Sequence, residues 1–322
     1  MPPCVNAIVF RTVSQNIRKD AARTIFPCIL AIVFLFLLSG PVGSAAADWA
    51  PLVERLGADG FNQPAMEALF ARPEVRFEPD AMVEKIKVLL RKDSTEDGSA
   101  DRMKKAVRRD YLSRWAIARA HSYALENLAT LEEIQSLYGV PKEIVVSILL
   151  METNLGRNTG NRLVFNRLAS MAMNADLETI KPHLGPRTIN EGNEAFARRC
   201  CREKGDWAYE ELKALLRLAD RDGIDPLGIR GSIYGAIGLC QFMPSNVFIY
   251  GVDANGDGRI DPFTMTDALH SIANYLRGHG WRPGIDRSGQ HRVIFDYNHD
   301  TVYANTVLAV AERLRDRSRA RP

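Results

Sequence analysis

The sequence predicts a mainly α-helical protein with at most a small β-sheet, and three observations predict it. Apolar residues recur at the 3.6-residue helical period through most of the chain after Asp48. Strand signals are few and short. The composition of the 322 residues, 46% hydrophobic and 25% charged without repeats or low-complexity tracts, is that of a globular protein and excludes disordered, fibrous and collagen-like chains.

In chain order, residues 1–47 stand apart. Arg18, Lys19 and Arg23 precede an uncharged run from Ile25 to Leu38, and small residues ending in Ala45, Ala46 and Ala47 follow. That is the order of a secretory signal, and an apolar stretch of 14 residues is short of the roughly 20 that cross a bilayer. We expect a cleaved signal peptide over 1–47 and a periplasmic or otherwise exported protein. No Cys follows Ser39 and Gly40, so no lipid-attachment cysteine is expected. Arg11, Arg18, Lys19 and Arg23 against Asp20 alone account for the whole formal charge of +3. The remainder is electrically balanced, with no field to attract nucleic acid.

Residues 48–322 read as one unit. Helical periodicity covers Ala81 to Arg91, Ala106 to Ala118, Leu125 to Leu137, Pro141 to Glu152, Trp207 to Ala219, Thr266 to Leu276 and Val302 to Arg315. Polar breaks fall at Lys92 to Asp101, Lys181 to Asn193 and Asp286 to His291. Beyond the leader the cysteines are Cys200, Cys201 and Cys240, an odd set without metal-ligand spacing, read as structural thiols. The arginines from Arg313 to Arg321 read as a solvated helix and frayed tail.

The helix over 141–152 carries the chemistry. Pro141 suits its first position, and its apolar stripe is Ile144, Val145, Ile148 and Leu149. Glu152 lies four residues after Ile148 and three after Leu149, so it continues the buried face. A carboxyl on an apolar face loses hydration when ionised; its pKa rises and it can hold a proton near neutrality, as a general acid must. From this helix alone, a Glu paired with a buried Arg or capping the next turn is the better reading. Gly156 is expected to end the helix, leaving Glu152 in its last turn.

Several motifs now line up in order: Gly139-Val140-Pro141, Met151-Glu152-Thr153-Asn154-Leu155-Gly156, the run from Gly231 to Ser245 (GSIYGAIGLCQFMPS), Asn274 to Trp281 (NYLRGHGW), and Tyr297-Asn298. Together they resemble the lytic murein transglycosylase B family, glycoside hydrolase family 103. The resemblance implies a lysozyme-like core with helical additions and non-hydrolytic cleavage of the β-1,4 bond between N-acetylmuramic acid and N-acetylglucosamine in peptidoglycan. Glu152 matches the family's acid/base; Ser232, Gln241, Tyr275, Tyr297 and Asn298 match positions lining its glycan cleft, which includes segment 231–245. Taken singly, Gln241, Tyr275, Tyr297 and Asn298 also read as structural residues: a satisfied backbone partner, two packed aromatics and a turn. The matched motifs supply one carboxylate where glycosidases usually use two, which calls for a single-acid route to a 1,6-anhydromuramoyl end. A hydrolytic muramidase and a non-catalytic, calcium-stabilised glycan-binding protein are the competing readings.

A second motif spans 253–264. Asp253, Asn255, Asp257 and Asp261 place oxygens at positions one, three, five and nine of an EF-hand-like loop, with Gly258 at six and the Arg259 carbonyl at seven. Position twelve is Thr264 where a bidentate Glu belongs, and Asp267 is the nearest substitute. The loop is read either as a structural calcium site or as a solvated turn. No cofactor is expected for the chemistry itself. The expected partners are peptidoglycan glycan strands and cell-wall synthesis or remodelling proteins, with the protein itself a monomer.

Overall fold

The computed structural model describes residues 48–95 and 106–319; the expected signal peptide lies outside them. Among the described residues the chain forms thirteen α-helices, three short 3₁₀ turns and one two-stranded sheet, the mainly helical fold that the periodicity predicts.

The first helices, α1 (Ala50–Ala58) and α2 (Gln63–Phe70), pair with each other, and α3 (Asp80–Thr95) follows. The side chain of Asn62 caps α2 by accepting from Ala65 N at 2.9 Å. The helix expected over 106–118 starts later: a 3₁₀ turn occupies Arg109–Leu112, and Ser113 caps α4 (Arg114–Glu126) by accepting from Ala116 N at 3.3 Å. Propensity runs through this stretch unbroken, but the cap resets the start. Next, α5 (Leu128–Tyr138) ends at Gly139, whose φ of 67° is the left-handed stop that glycine tolerates.

Then comes α6 (Lys142–Thr153). Every residue from Ile144 to Met151 is buried, so the expected stripe is one side of a helix enclosed all round, as its continuous apolar sequence requires. Pro141 is the N-cap rather than the first helical residue, and the helix stops at Asn154, two residues before the expected glycine. Asn154, Leu155 and Gly156 all have positive φ, of 54°, 62° and 82°. For a leucine this backbone is strained, and the strain sits just past Glu152.

A short strand, β1 (Arg162–Leu163), leads into α7 (Val164–Met173), the one-turn α8 (Leu177–Ile180) and the long α9 (Glu194–Asp222). The 29 residues of α9 begin well before the expected Trp207, because its first half is too charged to show a wide apolar face. β2 (Arg230–Gly231) pairs antiparallel with β1 in the register Arg162↔Gly231 and Leu163↔Arg230. Then follow α10 (Pro244–Tyr250), α11 (Met265–Gly278), α12 (Arg287–Asn298) and α13 (Thr301–Arg319). The break expected at 286–291 is instead the start of α12: Asp286 Oδ1 accepts from Gly289 N at 2.8 Å and caps it. The arginine-rich end stays helical through Arg319.

Two groups of helices position the site. α4, α5, α11 and α13 pack around α6, while α9 lies along α7 with α3 and α10 against it. Cys200, Cys201 and Cys240 are all buried thiols. No single helix among the described residues is long and apolar enough to cross a membrane.

Candidate active site

Glu152 sits in the last turn of α6, and its Oε1 is shut off from solvent without a hydrogen-bond partner. Burial drives its pKa from an ordinary 4.5 up to about 7; the Tyr303 hydroxyl, the Asn298 side chain and the Arg108 charge oppose the rise. None of these groups is an acid. The Tyr303 hydroxyl, on α13, is itself buried without a partner, and its own pKa is pushed well up, mainly by burial. Two buried polar groups that shift each other's titration and lack hydrogen-bond partners mark a point where a ligand or a proton can be held. Arg108 reaches the site on the segment before the 3₁₀ turn; its N–H donates to Thr306 Oγ1 at 2.9 Å and its guanidinium approaches Asp300 at 3.4 Å.

Thr153 ties the helix end to the facing loop. Its Oγ1 donates to the Leu239 carbonyl at 3.1 Å and accepts from Gly156 N at 3.1 Å. The 231–245 segment is a loop knitted by bridges of Ile237 to Gly231 and to Phe242, followed by α10, so its closely spaced glycines serve turns rather than a helix. At Gly160 a Cβ would stand 2.1 Å from the Gly231 carbonyl oxygen, and at Gly238, φ 73°, 2.3 Å from that of Pro262. Both approaches need glycine.

Ser232 Oγ accepts from Ala236 N at 3.0 Å and Tyr234 N at 3.3 Å, which shapes the loop and leaves its own proton to donate. Gln241, at φ 52°, donates both amide hydrogens to the carbonyls of Gly238 (2.9 Å) and Thr159 (3.1 Å), leaving its oxygen as the group open to a ligand. From α12, Tyr297 donates to the Cys240 carbonyl at 2.7 Å; burial lifts its pKa well above 10, and the nearby Cys240 and Glu152 add to the rise. Burial likewise pushes the Cys240 thiol up to about 12. Tyr275 is buried within an aromatic group of Phe242, Tyr250, Tyr297 and His279, and its hydroxyl donates to the Asp296 carbonyl at 2.8 Å. It braces the α12 end from behind. Asn298, the last residue of α12, is exposed. Glu152, Tyr297, Asn298 and the loop at Cys240 therefore meet. Ser232 and Gln241 fix the loop's shape, and Tyr275 supports it.

Sequence reasoning missed Tyr303, Arg108 and Thr153. Tyr303 had a signal: a polar hydroxyl on the apolar side of the helix that begins just after Tyr297-Asn298.

In the EF-hand-like loop the acidic groups turn inward. Asp253 accepts from the N–H groups of Gly256, Asp257 and Gly258 at 2.8–3.2 Å, and Asp257 from Arg259 N at 2.9 Å. Asp261 accepts from Phe263 N at 2.8 Å. Asn255 accepts from Asp257 N and donates to the Asp257 carboxylate. Thr264 at position twelve donates to the Asp261 carbonyl at 3.0 Å. Fully buried Asp267 bonds Ala254 N and Asp261 N, one with each oxygen, and locks the loop onto α11. No group of three or more His, Cys, Asp or Glu side chains among the described residues is placed to hold a metal ion. The oxygen order fits calcium, but the twelfth ligand is lacking.

A buried acid at the end of a core helix, facing a β-bridged loop, defines the lysozyme-like helical fold. The chain belongs to the transglycosylase SLT domain family, whose model matches residues 44–290. It is 35% identical over 148 residues to the membrane-bound lytic murein transglycosylase B of Escherichia coli, a match covering 46% of this chain and 34% of that protein, about a third of its length. Among solved structures, the soluble lytic transglycosylase SltB1 of Pseudomonas aeruginosa superposes with a TM-score of 0.63 at 24% identity, covering 84% of this chain and 99% of that one. The Escherichia coli lytic transglycosylase Slt35 in complex with calcium gives 0.62 at 20%, covering 84% and 96%. Pseudomonas aeruginosa SltB3 in complex with NAG-anhNAM-pentapeptide gives 0.59 at 21%, covering 83% and 78%.

Proposed function

We propose that the chain is an exported lytic transglycosylase that cuts the β-1,4 bond between N-acetylmuramic acid and N-acetylglucosamine in peptidoglycan, leaving 1,6-anhydromuramoyl ends, with Glu152 as its single acid/base. One observation carries this reading: a carboxyl raised to about 7 by burial, one oxygen unpartnered, with no acid among the groups that shift it. Retaining and inverting glycosidases both need a second carboxylate, about 5 Å or roughly 6.5–9.5 Å from the first.

Protonated Glu152 gives its proton to the glycosidic oxygen, and the N-acetylglucosamine side leaves with a new 4-hydroxyl. The 2-acetamido oxygen of the muramoyl residue bonds the anomeric carbon as the old bond breaks. The Glu152 carboxylate then takes the C6 hydroxyl proton. O6 bonds the anomeric carbon, the acetamido oxygen is released, and the acid is restored. Asn298 and the Ser232 hydroxyl orient the acetamido group and its neighbours. Tyr297 positions the sugar through the Cys240 carbonyl, and Gln241 offers its side-chain oxygen to the glycan. Tyr303 steadies the carboxylate that forms midway, since it is among the groups that favour the charged form.

Loop 253–264 is a structural calcium loop of reduced affinity in this reading, taking no part in the chemistry. Export through the 1–47 signal brings the enzyme to its substrate. Mass spectrometry of digested glycan tests the function: anhydro ends are expected, and reducing ends, heavier by one water, would assign a hydrolytic muramidase instead. Retained binding with loss of turnover in Glu152→Gln separates an enzyme from a glycan-binding protein. Unchanged lysis of sacculi by that variant would remove Glu152 from the mechanism.

A further inference from the structure

Resting on the function proposed above, we propose that Arg167, in the first turn of α7, is a positioning residue: it fixes the turn that aims the Ser232 hydroxyl at the substrate's acetamido group. Its Nε donates to the Ile233 carbonyl at 2.8 Å, one residue past Ser232.

The turn itself is closed by its own groups. Ser232 N donates to the Ala236 carbonyl at 2.8 Å and Gly235 N to the Ser232 carbonyl at 3.2 Å, while Ser232 Oγ accepts from Tyr234 N and Ala236 N. A hydroxyl that accepts twice has one direction left for its proton. Whatever orients this turn therefore aims that donor. Gly235, at φ 91°, lies flush on Leu168, where a Cβ would stand 2.8 Å from its Cδ2. Arg167, the neighbour of Leu168 in the chain, adds the directional bond.

The environment of Arg167 is more than packing calls for. Its side chain is fully buried. Nη1 is shared between Glu78 Oε2 and Asp80 Oδ1, each at 2.7 Å, and Nη2 is buried without a partner. A buried ion pair is commonly no more stabilising than an apolar side chain of similar volume, and the unpaired N–H is a further cost. What an apolar residue lacks is a planar fork that binds the start of α3 with its tip and the glycan loop with its Nε. Segment 74–80 is itself tied to α7 on either side of Arg167: Asn166 Nδ2 donates to the Glu74 carbonyl at 2.9 Å, and Ser170 Oγ accepts from Glu78 N at 2.8 Å. The carboxylates that hold the guanidinium are thus held in turn, and the Ser232 turn is referenced through Arg167 to α3 and α7 together. In the proposed reaction the acetamido oxygen reaches the anomeric carbon only as the glycosidic bond breaks, so a misaimed Ser232 penalises the transition state more than the bound strand.

Arg167→Lys tests this, because it keeps a positive charge for Glu78 and Asp80 but has no Nε–H for Ile233. On purified glycan it should lower kcat about tenfold with KM little changed, and leave the pH profile where Glu152 sets it. In a Ser232→Ala background the same substitution should cost less than about twofold, since the group it aims is gone. Hydrogen exchange of the Ser232 and Ala236 amides, followed by mass spectrometry without substrate, should be faster in Arg167→Lys than in the wild type. Should that variant fold poorly, Arg167→Met combined with Glu78→Gln and Asp80→Asn removes the whole charge cluster with the tether and should behave in the same way. An equal fold loss in both Ser232 backgrounds overturns the proposal and makes Arg167 structural only, as does an unchanged kcat. Faster amide exchange together with reducing ends, or with no cleavage, from the wild type would confirm the tether and sink the proposed function instead.

Discussion

Replacing Glu152 by Gln keeps the side chain's shape and removes its charge, which turns the burial of this carboxyl into a measurable stability difference. The ordinary value is 4.5 and burial raises it to about 7. At ~1.36 kcal/mol per pH unit, that interval is worth about 3 kcal/mol. The folded protein holds this proton more tightly than the unfolded chain. The contribution is therefore fully present below pH 4.5, declines as pH rises toward 7, and is gone above it. Gln has no proton to lose, so Glu152→Gln should match the wild type near pH 4 and exceed it by about 3 kcal/mol at pH 8. Urea unfolding followed by circular dichroism at several pH values reads the difference directly, and other titrating groups cancel in the subtraction. At roughly 2 °C per kcal/mol for a chain of this size, the thermal midpoint should separate by about 6 °C at pH 8. A variant-minus-wild-type difference that is the same at pH 4 and pH 8 would show that the folded protein does not hold Glu152 in a raised state.

Removing the Tyr303 hydroxyl withdraws a group that favours the charged form of Glu152. Tyr303→Phe should therefore move the alkaline limb of the pH–activity profile upward, and a downward move would contradict the pairing. Gly238→Ala sets a Cβ 2.3 Å from the Pro262 carbonyl at a φ of 73° and should cost about 2–4 kcal/mol in denaturant unfolding; a loss under about 0.5 kcal/mol would mean the loop yields freely. Thr264→Glu supplies the missing twelfth ligand of the 253–264 loop, so calcium should raise its thermal midpoint above that in chelator by more than it does in the wild type. Identical midpoints in the variant would show that the loop is a turn and not a metal site.

Where elements are long and periodic, the sequence reading and the structure agree: α6, α11 and α13 lie within a few residues of the segments their apolar spacing predicts. Boundaries moved where one side chain capped a helix, as Ser113 does for α4 and Asp286 for α12. Such caps compete with propensity at a single residue and leave no periodic trace. The first half of α9 was hidden because charged residues dominate its exposed side, and the short α7 because it is buried all round. α1 and α2 were also unassigned, each being too short to build a recurrent stripe.

The candidate site divides along the same physical line. Glu152 was legible because one carboxylate on an apolar helix is locally anomalous. Tyr303 left only a faint signal and Arg108 none, because it takes the packing of α13 on α6, and of the 106–108 segment on α13, to bring them to it. Thr153 reads in sequence as an ordinary helix-end residue, yet its hydroxyl bonds the Leu239 carbonyl, and the Leu239 N–H donates in turn to the Pro262 carbonyl at 2.8 Å. Pro262 lies inside the EF-hand-like loop that Asp267 locks to α11. Two hydrogen bonds thus connect the residue beside the acid to the oxygen-rich loop, and Gly238 makes the close approach at the second possible. In the proposed reaction the loop's part would be mechanical: it fixes the wall that Glu152 faces, whether its oxygens are drawn together by calcium or by their own backbone amides. Loosening it should lower turnover through misplacement of the Leu239–Gln241 segment while the acid's own titration stays where burial sets it.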